Sequence, residues 1–278
     1  MNGYHQKKIA MINDLSGYGR CSLTVAIPIL SAMKVQCCPV PTSILSNHTG
    51  FPVYFFDDYT RSMPEYLKKW QELGLEFDGI VTGFLGSEKQ IQIVMDMIRE
   101  FKTGQTRVVI DPIMGDHGQP YATYTEEMCR RMRDLVGLGD VVTPNLTEAC
   151  ILTGRSYRRD GWSKGELTEL AEEIRELGAK SVVITGVVQG SYLGNFVAEA
   201  GKENVILRMK RVGRERPGTG DVFSSVVAAA VVRGWELKKA VKLAARFVKE
   251  CIRLSEELEI PVENGVCFEE RLDWLTRV

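Results

Sequence analysis

The chain has 278 residues, 44% of them hydrophobic, which is enough for a full α/β core in one large domain or two smaller ones. Its 35 basic and 36 acidic residues leave a formal charge of -1, so no basic excess exists to neutralise a nucleic-acid backbone. No apolar run reaches bilayer length, and the opening MNGYHQKKIAMIND is too polar for a secretion signal, so neither a nucleic acid nor a membrane is an expected partner.

Six short runs rich in Val and Ile read as buried strands: KKIAMI (7–12), VQCCPV (35–40), DGIVTGF (78–84), RVVID (107–111), DVVTP (140–144) and SVVITG (181–186). Between them the apolar spacing becomes helical over 20–33, 60–73, 87–101, 125–136, 146–153 and 163–177. Strand and helix in turn predict βαβ units, hence a mainly parallel sheet covered by helices. Beyond residue 186 turn signals near Gly190 and Gly201 separate short alternating stretches, which predict antiparallel edge strands. Helices over 219–233 and 236–258 close the chain. No linker, repeat or low-complexity tract interrupts it, so a single domain spanning 1–278 is expected. The seven cysteines (21, 37, 38, 129, 150, 251 and 267) form no CxxC pair and read as reduced thiols of a cytoplasmic protein. Three histidines, at 5, 48 and 117, make a His-rich zinc site improbable.

Five stretches carry candidate chemistry. After the first strand, NDLSGYGRCS places Asn13 and Asp14 at a strand end, where ligands of open α/β sheets gather. Its GYGRCS does not complete the GxGxxG of a dinucleotide fold. SILSNHTGF holds a polar run, Ser46 to Thr49, ending in Gly50; it reads as a turn, with His48 structural rather than a base. RVVIDPIMGDHGQPY puts Asp111 at a strand end and Asp116 in the loop beyond. Two such carboxylates either form turns or hold Mg²⁺, directly or through water. In DVVTPNLTEACILTG, Asn145 and Glu148 have capping-box spacing, and as they follow a strand they would also face a metal and phosphates.

The fifth is RERPGTGDVFSSVVAAAVV, where Gly218-Thr219-Gly220-Asp221 opens a helix of small residues. Free N–H groups and the helix dipole make such an end a site for phosphate oxygens. Two readings of Asp221 stand side by side. Either Thr219 caps the helix and Asp221 favours its positive end, or Asp221 takes the proton of a substrate hydroxyl attacking a γ-phosphate.

Taken together, NDLSGYGRCSLTVAIPIL, SNHTGF, TGFLGS, DPIMGDHG, TPNLTEACILTG and RERPGTGD resemble, in order and over nearly the whole chain, the pyridoxal kinases of the ribokinase-like superfamily. GTGD alone identifies only the superfamily; SNHTG with DPxMGDxG and TPNxxEA is more specific. The resemblance implies an α/β three-layer sandwich with a mainly parallel central sheet, flanking helices and antiparallel edge strands. It also implies ATP and Mg²⁺, a pyridine vitamer as substrate, and a homodimer. Carried to matching positions, Asp221 is the catalytic base and Gly218, Thr219 and Gly220 the anion hole. Asn13, Ser46, Thr49 and Asp221 would meet the substrate. Asp116, Thr143, Asn145, Glu148 and Thr185 would meet ATP, and Asp111, Asp116 and Glu148 the metal. The loop 116–125 would form a flap over ATP. DLSGYG also resembles the DxSGGxG loop of hydroxymethylpyrimidine kinases, so that substrate stays open as the alternative, with a non-catalytic vitamer or nucleotide sensor behind it. SNHTG, which is not the pyrimidine kinases' pattern, favours the pyridine vitamers.

Overall fold

The computed structural model describes residues 5–278; Met1–Tyr4, part of the polar opening segment, lie outside the described residues. The chain begins β1 (Lys8–Tyr18), α1 (Ser22–Ala32), β2 (Gln36–Asn47), β3 (Phe56–Asp58), α2 (Met63–Glu72), β4 (Gly79–Thr82). It continues α3 (Glu88–Phe101), β5 (Arg107–Ile110), the short pair β6 (Gly115–Asp116) and β7 (Gln119–Pro120), α4 (Glu126–Val136), β8 (Val141–Val142), α5 (Leu146–Thr153), α6 (Lys164–Glu176). The last elements are β9 (Ser181–Gln189), β10 (Tyr192–Glu199), β11 (Val205–Lys210), α7 (Thr219–Val232), α8 (Leu237–Glu257) and α9 (Leu272–Thr276).

Three features depart from the periodicity reading. The first strand runs on to Tyr18, through the polar NDLSGY stretch read as a loop. A register shift between Asn13 and Leu15 lets that stretch stay paired, with Leu15 opposite Ile44 and Tyr18 opposite Asn47. The strands β3, β6 and β7 are too short to show a period. After α8 the chain adds a 3-10 turn at Val262–Asn264, another at Glu269–Arg271, and α9.

The described residues group into two compact units. One takes the chain up to Val81, Phe101–Arg107 and Val212–Val278; the other takes Thr82–Glu100 and Val108–Arg211. In the first, the strand order is β4-β1-β2-β3, with β1 parallel to β2 and β3 antiparallel to it. The helix α1 packs on β1 and β2, and also against α7, which in turn packs against α8. From Val222 to Ala230 every residue of α7 is buried; its Ala and Ser side chains let both neighbouring helices come close.

In the second unit the order is β5-β8-β9-β10-β11. The first three are parallel and the last three antiparallel. Val108, Val109 and Ile110 of β5 are fully buried, as a strand covered on both faces requires. The helix α6 packs on β9 and against α5. A mostly parallel sheet with flanking helices and antiparallel edge strands is therefore the architecture, as the sequence predicts. Among the described residues, no helix is long and apolar enough to cross a membrane.

Candidate active site

In the first unit the glycine turn sets the scene. Gly218 is the N-cap of α7 and lies in the left-handed region at φ 76°. The first intrahelical bond runs from Val222 N–H to Gly218 O at 2.9 Å, so the N–H groups of Thr219, Gly220 and Asp221 precede it. Thr219 does not cap the helix: it is the first helical residue, and its Oγ1 donates to Arg216 O at 3.1 Å. The space where Gly220 would carry a side chain is empty to 4 Å. A helix end with early N–H groups and open space beside a glycine is suited to an anion.

Asp221 lies at that end. Asn13 Nδ2 donates to its Oδ1 at 3.3 Å, and the Ser22 backbone N–H also donates to its carboxylate. Burial is the main cause that pushes its pKa up to about 6; the nearby Asp14 carboxylate adds to the rise, and the two donors oppose it. A carboxylate raised to about 6 lies nearer the working pH, which suits a general base.

Behind Asp221 stands a second buried acid. Asp14 accepts from Ser16 Oγ at 2.8 Å and from Ser22 Oγ at 2.5 Å, and its own N–H donates to Asn13 Oδ1 at 3.0 Å. Burial raises the pKa of Asp14 despite these bonds. Ser22 has φ 53°, a conformation a serine adopts only when its surroundings hold it. Cys21, just before α1, is buried, and its thiol is pushed up to about 12 by burial and by the charges of Asp221 and Asp14.

The SNHTG segment closes the end of β2. Ser46 is tied into its own loop, accepting from Phe55 N–H at 2.8 Å and donating to Asn47 Oδ1 at 2.7 Å. Thr49 is exposed in the turn that follows. His48 is structural in this geometry: its Nε2 meets Glu263 O at 2.8 Å and its Nδ1 accepts from Gly50 N–H at 3.1 Å. Arg216, just ahead of the glycine turn, is buried and grips the same C-terminal stretch. Its guanidinium donates to Ile260 O at 2.9 Å, Pro261 O at 3.2 Å and Glu256 Oε1 at 2.9 Å.

The second unit gathers the other predicted residues. Asn145 and Glu148 form a full capping box on α5, so the reading that needs no ligand holds. The same two side chains do more. Glu148 accepts from Asn145 N–H at 2.7 Å and from Met114 N–H at 3.2 Å, and Asn145 Nδ2 donates to Gly115 O at 2.9 Å. The DPIMGD loop is thereby fastened to α5. Burial, then the charge of Asp111, raises the pKa of Glu148 well above the usual carboxylate range. Thr185 bridges to Asn145, and Thr143 Oγ1 is buried with no partner among the described residues. Asp116 is exposed on the β6–β7 hairpin. At the hairpin's tip Gly118 N–H donates to Thr147 Oγ1 at 2.9 Å, and the Tyr157 ring fills the place of a Gly118 side chain.

Among the described residues no three His, Cys, Asp or Glu side chains form a ready metal cage. Mg²⁺ does not need one: it keeps several waters and takes one or two carboxylates plus substrate phosphates. Asp111 and Glu148, two hard oxygen donors whose like charges oppose each other's ionisation, fit that requirement. The geometry thus joins Asn13 to Asp221, and Asn145 to Glu148, Thr185 and the Gly115 backbone. Ser46 bonds within its own loop, and Thr49 is exposed. Sequence reasoning missed Ser22, Arg216 and Thr147.

A family model described as phosphomethylpyrimidine kinase matches residues 29–266. A pyridoxine/pyridoxal/pyridoxamine kinase of Bordetella avium (strain 197N) is 30% identical over 258 residues, covering 87% of this chain and 84% of that protein. A hydroxymethylpyrimidine/phosphomethylpyrimidine kinase of Rhizobium meliloti (strain 1021) is 29% identical over 251 residues, covering 89% and 91%. A Bacteroides thetaiotaomicron VPI-5482 protein assigned as a phosphomethylpyrimidine kinase has a crystal structure that superposes with a TM-score of 0.95 at 39% identity, over 99% of this chain and 96% of that one. Its orthorhombic form, solved with pyridoxal, superposes with a TM-score of 0.91 at 37% identity over the same shares.

Proposed function

The chain belongs to the phosphomethylpyrimidine kinase family, within the ribokinase-like superfamily that includes the pyridoxal kinases, and we propose that it phosphorylates a vitamer hydroxymethyl group. ATP is the donor, and pyridoxal, pyridoxamine or pyridoxine the acceptor. The observation that carries this reading is Asp221: a buried carboxylate with a raised pKa at a helix end whose first N–H groups suit a phosphoryl. Asp221 takes the proton of the attacking hydroxyl, while the N–H groups of Thr219, Gly220 and Asp221 stabilise the charge on the migrating group. Asp111 and Glu148 would hold Mg²⁺, which when bound neutralises charge on the ATP phosphates. Asn145 and Thr143 face the nucleotide in this reading, with the β6–β7 hairpin as a cover. The whole chain acts as one kinase domain, in the cytoplasm and as a homodimer; its seven free cysteines suit a reducing compartment.

Two observations favour a pyridine ring over a pyrimidine: the SNHTG segment after β2, and the Bacteroides relative solved with pyridoxal. One favours the alternative, a hydroxymethylpyrimidine kinase: the Asp14-Leu15-Ser16-Gly17 loop, alongside a relative of that activity at near-equal identity. A panel of the three vitamers and hydroxymethylpyrimidine, compared by kcat/KM with MgATP, decides. A preference of about tenfold or more for the pyrimidine, ~1.4 kcal/mol in transition-state binding, overturns the assignment.

A further inference from the structure

Four residues of the first unit close a ring of hydrogen bonds around Asp221. Asn13 Nδ2 donates to Asp221, Asp14 N–H donates to Asn13 Oδ1, Ser22 Oγ donates to Asp14, and Ser22 N–H returns to Asp221. Ser22 is the strained member, at φ 53°. Its hydroxyl is anchored on Asp14 while its amide is aimed at the base, so the same residue joins the two acids. Ser16 Oγ occupies the other oxygen of Asp14. With a hydroxyl donated to each oxygen, the Asp14 carboxylate is an acceptor on both sides, as an ionised group is.

We propose that Asp14 is a positioning residue for the transfer: through Ser22 it fixes the carboxylate of Asp221, and as a second negative charge it makes that carboxylate a stronger base. The inference rests on the reading of Asp221 as the base. The like charges of two neighbouring buried acids raise the proton affinity of either one. The upward shift of Asp221, to which Asp14 contributes, agrees with this. Among the described residues the Cys21 thiol also faces Asp221, and it is neutral across the working range with its pKa pushed up to about 12. His48, at the end of β2, faces Asp14. Burying a second acid costs stability, and a purely structural role would not require that acid to lie beside the base.

The test is the pH dependence of kcat/KM with pyridoxal and MgATP for the whole enzyme and three variants. Asp14→Asn keeps the shape and removes the charge. Its acid limb should move down by about one pH unit, and its plateau kcat should fall roughly tenfold, with the KM for MgATP unchanged. Ser22→Gly tolerates the positive φ and keeps the amide but loses the hydroxyl tie. It should lose a similar factor in kcat with the acid limb unmoved, because the charge of Asp14 remains. An Asp14→Asn acid limb coincident with the parent's overturns the proposal, and so does a Ser22→Gly enzyme with parental kcat. Should Asp14→Asn not fold, Ser22→Gly alone decides the positioning claim. Asp221→Asn, run in parallel, separates the two readings: retained turnover there removes the base assignment itself. An inactive Asp221→Asn beside an unmoved Asp14→Asn limb removes only the role of Asp14.

Discussion

A Cβ atom on Gly218 would lie 1.8 Å from the carbonyl oxygen of Arg20. No side-chain rotation relieves that overlap, because both partners are backbone, and φ of 76° already disfavours any residue but glycine. Gly218→Ala must therefore push the start of α7 away from Arg20 and with it the N–H groups proposed to receive the phosphoryl. We expect kcat to fall by ~10²-fold or more, the usual cost of a lost oxyanion donor, with pyridoxal binding by calorimetry within a few-fold of the parent. An alanine enzyme of normal kcat would place the anion site elsewhere.

The raised pKa of Asp221 has two consequences of opposite sign. The base works only when deprotonated, so kcat/KM should rise with pH through about 6 and level off above it. Asp221→Asn should lower kcat by ~10²–10⁴-fold while vitamer binding persists. For stability, the folded-state pKa lies above the unfolded value of 3.8, so the folded protein binds the proton more tightly. Its contribution is present in full below about 3.8 and is lost as pH rises through about 6. At pH 8 Asp221→Asn should therefore melt higher than the parent, by an amount worth on the order of 2–3 kcal/mol, and the gain should vanish near pH 4. A melting temperature that moves equally at both pH values would contradict the burial argument.

Glu148 serves the fold and the proposed metal with the same two oxygens. Glu148→Gln keeps an acceptor for Met114 or Asn145 but removes the charge that opposes Asp111. The expected result is a KM for MgATP raised ~10–100-fold, the usual range for a disturbed metal site, with the vitamer KM unchanged. Titration with Mg²⁺ at fixed ATP checks it: a requirement that stays at parental concentrations would take Glu148 out of the metal site.

Arg216 lies just ahead of the glycine turn, its carbonyl accepting from Thr219 Oγ1, and its guanidinium secures the C-terminal segment. Arg216→Met would leave the carbonyl of Ile260 without its buried donor and take one donor each from Pro261 O and Glu256. We expect a melting point lower by roughly 5–10 °C. Arg216→Lys should recover only part of it, since one ammonium cannot reproduce the planar fork. Equal melting of all three proteins would show that the grip is dispensable.

What could be read from the sequence was what is local. Asn145 and Glu148 are three residues apart, and a capping box is written in that spacing. The glycine turn and its small-residue helix were equally plain, and α7 begins where the turn predicts. Asp14 was legible as a strand-end acid, but its partner was not: nothing marks a serine that will adopt a positive φ. Arg216 was invisible for another reason, since it binds backbone carbonyls 44 and 45 residues onward, and carbonyls carry no residue signature. The extension of β1 was hidden because Gly and Ser in NDLSGY mimic a turn, and only pairing with β2 overrides that.

The division of the chain also orders events in time. The unit that holds Asp221 is assembled from the early segment and from Val212–Val278, with most of the other unit synthesised between them. On the ribosome, β1 and its Asp14 must wait for about 10–40 s, at ~5–20 residues per second, before α7 emerges to meet them. The nearly continuous stretch from Val108 to Arg211 has no such wait. Nascent chains halted before Val212 would carry the DPIMGD and TPNLTEA loops but neither Asp221 nor its helix, and would expose the apolar faces of β1 and α1 to chaperones. With Asp221 as the proposed base, catalytic competence is thus among the last properties this polypeptide acquires.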